Sequence, residues 1–170
     1  MAATIWKRLP APTKEEKMSS MTYVKSDTLT AAGTATAAIA VDLGLNLSEA
    51  AKIVGIELAL STTIPMVAGI AQIIQAAYSF DPEDLLINGN DDEQFAQVDL
   101  VTGSIAATTG AHKQSEFAFF DFSGMTLVTT RNLALLLNVV VTTGVVIGKV
   151  YYERFKPTAN ELMQLIATRR

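Results

Sequence analysis

Residues 132–155 read NLALLLNVVVTTGVVIGKVYYERF, and the first seventeen of them carry no charge. Three structures compete for such a run: a membrane helix, the core of a soluble domain, or strands buried in an assembly. Seventeen residues fall short of the roughly 20 that a helical span needs. The run is also rich in Val and Thr, which suit a pleated, half-buried surface. Thr142-Thr143-Gly144 stands in the middle, where a two-stranded hairpin places its turn. Leu133, Leu135, Leu137, Val139 and Val141 share one face, and Ala134, Leu136, Asn138 and Val140 the other. Both faces are mostly apolar, which predicts a strand covered on both sides. The return segment VVIGKVYYERF sets Lys149, Glu153 and Arg154 among apolar partners. The stretch therefore predicts a hairpin and not a membrane helix.

The same period of two appears upstream. In TATAAIAVDLGLNLS, residues Ala35, Ala37, Ile39, Val41, Leu43, Leu45 and Leu47 alternate with Thr34, Thr36, Ala38, Ala40, Asp42, Gly44 and Asn46. Such alternation is a strand signal, because a helix would scatter those side chains around its circumference. IVGIELALSTTI alternates again, with Val54, Ile56, Leu58, Leu60, Thr62 and Ile64 together, and Pro65 ends it. AGIAQIIQAAYSF (68–80), FAQVDLVTGSIAATT (95–109) and FAFFDFSGMTLVTT (117–130) continue the β-character. Turn signals separate them: Asp81-Pro82, Asn88-Gly89 and Ser123-Gly124. The sequence predicts an all-β chain, an antiparallel β-sandwich or jelly roll of about eight strands. Residues 1–22 read as an N-terminal arm, 23–156 as the sandwich and 157–170 as a tail with a short C-terminal helix. In that tail Thr158 and Glu161 have capping-box spacing. Leu162, Leu165 and Ile166 form one apolar stripe ahead of Arg169 and Arg170.

Composition narrows the chemistry. Of 170 residues, 49% are apolar and 18% charged, with a mean hydropathy of +0.30. That is apolar for a soluble monomer and suits surface that ends up buried against other subunits. There is no cysteine and one histidine, His112, so disulfides and thiolate metal sites are excluded. The net charge of −4 is unevenly placed: residues 1–25 and 149–170 each carry +3, leaving −10 in the middle. Scattered basic residues do not make a nucleic-acid arm, which needs denser runs. MAATIWKRLPAPTKEEK has no apolar signal-type core, which points to intracellular synthesis.

Candidate chemical sites are thin. His112 lies in GAHKQSE with Ser115 and Glu116, too crowded in one loop to converge on a substrate, and reads as a solvated histidine. The acidic segment DPEDLLINGNDDEQ (81–94) lacks the alternating ligands and distal Glu of a calcium loop. Glu57, Asp99 and Asp121 read as outward-facing strand residues, with nothing that pairs them as catalytic carboxylates. GSIAATTG and TTGVVIGK lack phosphate-loop spacing. No cofactor and no metal is expected, and the chain does not read as an enzyme. The apolar side chains Ile5, Trp6 and Leu9 in the polar arm, Phe117 and Phe119 on one face of their strand, and Leu162, Leu165 and Ile166 in the tail read as assembly contacts.

The polar arm MAATIWKRLPAPTKEEKMSSM, the long strands TATAAIAVDLGLNLS and AKIVGIELALSTTI, and the closing pair LALLLNVVV and VVIGKVYYERF together resemble the single jelly-roll capsid proteins of icosahedral viruses. That resemblance implies a structural subunit in the virion, made in the host cytoplasm. Its partners would be copies of itself and other virion proteins. The thin basic arm departs from RNA-virus coats with dense Arg/Lys arms. It is more similar to coats whose shell encloses a membrane or a separately packaged DNA genome, which implies contact with an underlying membrane. Two other classes fit the β-rich pattern: a subunit of an extracellular filament, pilus, phage tail or decoration layer joined by donated strands, and a β-sandwich ligand-binding module or hydrolase.

Overall fold

The structure is a computed structural model and describes residues 21–62, 72–81, 83–85, 87, 93–102, 115–125 and 127–167. Expectations for residues 1–20 of the arm, for the 63–71 segment with Ile64 and Pro65, for the 103–114 segment with His112 and for half of the acidic loop lie outside those residues. The described chain is all-β and antiparallel, with seven strands and one short helix. The strands are β1 (Thr22–Val41), β2 (Ala50–Thr62), β3 (Gln72–Ser79), β4 (Gln94–Thr102), β5 (Ser115–Asp121), β6 (Leu127–Thr129) and β7 (Leu133–Phe155). The helix α1 covers Ala159–Ala167.

The expected hairpin at Thr142-Thr143-Gly144 is not formed, and residues 133–155 make one continuous strand of 23 residues. A primed hairpin turn needs positive φ at its central residues, yet Gly144 is not among the positive-φ glycines, which are Gly33 and Gly44. The irregularity falls instead at Val141, whose φ is 58°. Pairing with β1 passes from Gly33↔Thr142 to Ala35↔Val139, so Val140 and Val141 together oppose Thr34. This is a β-bulge, which bends the strand and re-aims its side chains. Leu133, Leu135, Leu137 and Val139 are buried before it, and Thr142, Gly144, Val146, Gly148 and Val150 after it. The inward phase thus switches from odd to even, and Val141 leaves the face that simple alternation assigns to it. The Val141 amide donates to Thr34 Oγ1 at 3.3 Å.

β1 follows one edge of β7 along nearly its whole length. On the other edge β3 pairs with Ala134–Val140 and β2 with Gly144–Phe155, end to end. β4 extends β3, and β5 and β6 extend β2. The bulge folds the two halves of this seven-stranded sheet over each other. A Cβ at Gly148 would stand 3.1 Å from Leu135 Cδ2, although a straight strand would hold the two residues about 43 Å apart. Corners made by strands that bulge from one layer into another are a standard way to close a sandwich. The core lies in the fold: Ile56, Leu58, Leu60, Ile74, Tyr78, Leu135, Leu137, Val146 and Val150 are all buried there.

β2 contains a second switch. Its register with β7 shifts between Ile53 and Gly55. Ile53 is buried, Val54 is half-exposed and Ile56, Leu58 and Leu60 are buried. Val54 therefore does not belong to the face expected for it. β1 begins at Thr22, twelve residues before the first alternating stretch. Its first half is Thr-rich and mostly exposed, so no buried stripe announces it.

A candidate assembly surface

Three adjacent rows cross the outer face of the half built on β1, β7, β2 and β5. The register aligns Val24–Tyr151–Gly55–Asp121, then Ser26–Lys149–Glu57–Phe119, then Thr28–Ile147–Ala59–Phe117. The face alternates outward because the inward residues of the same strands form the core. It is apolar at its periphery: Val24 is 56% exposed, Ile147 43%, Phe117 59% and Phe119 55%. Phe120 and Phe122 point the other way, half-buried against the core. The alternation of Phe117 and Phe119 against Phe120 and Phe122 is thus the arrangement read from the sequence.

Polar groups are locked at the centre of this face. Lys149 Nζ donates to Glu57 Oε1 at 2.7 Å, and the Tyr151 hydroxyl donates to Glu57 Oε2 at 2.9 Å. Side-chain exposure is 37% for Lys149 and 18% for Glu57. Hydrogen bonds from Lys149 and then Tyr151 hold the Glu57 carboxyl below its ordinary range. The same contacts push Lys149 and Tyr151 up. Every shift fixes the protonation state already present at neutral pH. The trio thus forms a charge clamp between β2 and β7. Phe119 meets the Tyr151 ring edge-on at 6.2 Å. A Cβ at Gly55 would stand 3.1 Å from Phe119 Cζ, so the missing side chain makes room for that ring.

The other acids read from the sequence serve separate local purposes. Asp99 accepts from Gln75 and Gln97 at 3.2 and 3.0 Å. Asp121 accepts the Ser123 amide at 2.8 Å, which lowers its carboxyl pKa. Asp81 and Asp84 accept from the Glu83 amide and the Gln94 side chain. Among the described residues no three His, Cys, Asp or Glu side chains gather as a metal set. No described helix is long and apolar enough to cross a membrane.

The remaining expected contacts are placed only in part. Ile5, Trp6 and Leu9 lie outside the described residues. Leu162, Leu165 and Ile166 fall within α1, and only their backbone is described. The helix start has its capping box: Thr158 N donates to Glu161 Oε2 at 2.7 Å, and Glu161 N donates to Thr158 Oγ1 at 3.4 Å. Sequence reasoning missed the Glu57–Lys149–Tyr151 clamp, because its members stand 92 and 94 positions apart. It also missed Arg154, which donates to the Leu43 carbonyl at 2.6 Å and lies over the Tyr23 ring.

No family model and no curated protein matches the chain. Several solved virus structures overlap with it. A chain of desmodium yellow mottle tymovirus aligns at 13% identity and TM-score 0.33, covering 92% of this chain and 99% of that one. A chain of turnip yellow mosaic virus aligns at 9% identity and TM-score 0.38, covering 94% and 92%. A chain of infectious bursal disease virus, Gt strain, aligns at 13% identity and TM-score 0.24, covering 95% and 52%. Identity and superposition at this level leave the family of the chain unassigned.

Proposed function

We propose that this chain is a self-assembling structural subunit of a viral capsid. The observation that carries the reading is the outer face of β1, β7, β2 and β5. It holds exposed Val24, Ile147, Phe117 and Phe119 around a polar centre already satisfied within the chain. Exposed large apolar side chains gathered on one face mark interaction sites, and aromatic residues are enriched where chains meet. A rigid sheet face with its charges internally paired suits repeated symmetric burial. The order of polar arm, β-sandwich and tail supports a shell over other assemblies. The partners are copies of itself, with other virion proteins and an underlying membrane as further contacts of the shell.

The runner-up is a filament, tail or decoration subunit joined by strand addition. It is favoured by one observation: among the described residues β1 pairs only with β7, leaving its other edge open. Negative-stain images of the concentrated chain discriminate. Closed shells or rings support the capsid reading, and open filaments support the runner-up. A field of separate small particles at all concentrations overturns both.

A further inference from the structure

The edge of β1 that no described strand covers carries a self-complementary sequence. Thr22–Thr30 reads TYVKSDTLT. Reversed about Ser26, it sets like or complementary side chains opposite one another. Lys25 meets Asp27, Tyr23 meets Leu29, Val24 meets Thr28, and Thr22 meets Thr30. We infer that two copies of this chain pair antiparallel through this edge, about a two-fold axis at Ser26.

Several observations support that partner. Among the described residues β1 has one strand neighbour, β7. Over this stretch the edge has no proline and no bulge before Gly33, and its charges, Lys25 and Asp27, are of opposite sign. Those charges are also poorly used within the chain. Lys25 Nζ stands 3.7 Å from Asp27 Oδ1, beyond the range of a charge-assisted hydrogen bond. Antiparallel addition places Lys25 of each copy directly opposite Asp27 of the other, where opposite charges stabilise and like charges repel. A two-fold normal to the sheet keeps faces aligned, so Thr22, Val24, Ser26, Thr28 and Thr30, all exposed, would form one ladder of β-branched and hydroxyl side chains. The contact is isologous and closes after two copies, so it makes a dimer and not a filament.

This inference rests on the self-association reading and names one of its contacts. The chain has no cysteine, so Ser26→Cys introduces a single thiol. Directly opposed residues in an antiparallel pair have Cα atoms about 4.5 or 5.5 Å apart, within disulfide reach. Mild oxidation of the full-length Ser26→Cys chain is expected to give a covalent dimer. Thr36→Cys, on the same edge, should not, because its two copies would stand about 65 Å apart. Adding Lys25→Asp or Asp27→Lys to Ser26→Cys should suppress the dimer in each chain alone. Mixing the two variants should restore it, since only the mixed pair sets opposite charges across the axis at both positions. Crosslinking of Ser26→Cys no greater than that of Thr36→Cys, or no recovery on mixing, overturns the β1 pairing. Light scattering on the unmodified chain separates the two readings. A large species with a silent Ser26→Cys removes this contact alone, whereas a monomer removes both.

Discussion

Gly148 on the second half of β7 lies directly against the Tyr78 hydroxyl of β3, so closely that a Cβ at position 148 has no room. Tyr78 is fully buried, and its hydroxyl makes no hydrogen bond among the described residues. Burial, and then the charge of Asp27, pushes its ionisation well above the ordinary tyrosine range. Overfilling a packed core typically costs about 1–3 kcal/mol. Gly148→Ala should therefore lower unfolding stability by about that much in urea titrations. Tyr78→Phe removes both the obstruction and a buried unpaired group, and should raise stability by about 1 kcal/mol. In a double-mutant cycle the two changes should couple, with Tyr78→Phe recovering part of the Gly148→Ala loss. Gly124→Ala, where a Cβ meets nothing within 4 Å, is the neutral control.

Val141 holds φ at 58°, a conformation that costs a residue with a Cβ about 1–2 kcal/mol and glycine nothing comparable. Its side chain is 42% exposed, so truncation removes little core. Val141→Gly should raise the urea midpoint, despite the added chain entropy of glycine. Val139→Gly, at a fully buried position of the same strand, should lower it. Equal losses in the two variants would show that the bulge is not where the strand is strained.

The alternating stretches in β2 and the second half of β7 were legible as strands because one face of each is buried, and a period of two follows from that. The alternation read through Leu47 ends as a strand at Val41, with Ile39 and Leu47 of its expected inner face exposed. The helix start was legible from Thr158 and Glu161, whose contact is local. Phase was not legible. Leu133 to Val139 and Thr142 to Val150 look like one alternation broken by a turn, and only the unequal spacing of β1 and β7 across Thr34 shows that it is a bulge. The same holds at Val54. The clamp of Glu57, Lys149 and Tyr151 leaves no trace in sequence, because it depends on the register of strands far apart in the chain. The first half of β1 escaped notice because its Thr and Ala side chains are mostly exposed and bury no stripe.

Glu57 gives the chain a pH dependence with a definite sign. Its folded pKa is lower than its unfolded value of about 4.3. The contribution is fully present above that value and is lost as pH falls through the lower folded one. Lys149 has the opposite shift, so its contribution is lost only as pH rises through its raised folded value. Glu57→Gln should flatten the decline of the urea midpoint below about pH 5 relative to the parent chain. An unchanged slope would mean that the clamp does not persist in solution.

The Thr158 hydroxyl receives the Glu161 amide, and the Glu161 carboxylate receives the Thr158 amide. Thr158→Ala removes one half of this exchange, and loss of an N-cap costs about 1 kcal/mol. Hydrogen exchange at the amides of Ala159–Glu161 should quicken, with β-sheet protection unchanged. Unaltered exchange there would show that α1 is held by its packing and not by its cap.

The central claim is that the outer face of β1, β7, β2 and β5 is buried between copies of the chain. The most direct test is the solution mass by light scattering after size exclusion, for the parent chain and for Phe117→Ser/Phe119→Ser. Both residues are exposed in the single chain, so the variant should keep its circular dichroism spectrum. The account predicts a mass far above 18.2 kDa for the parent and a drop toward that value for the variant. A parent chain that stays monomeric, or a variant that assembles as the parent does, would contradict it.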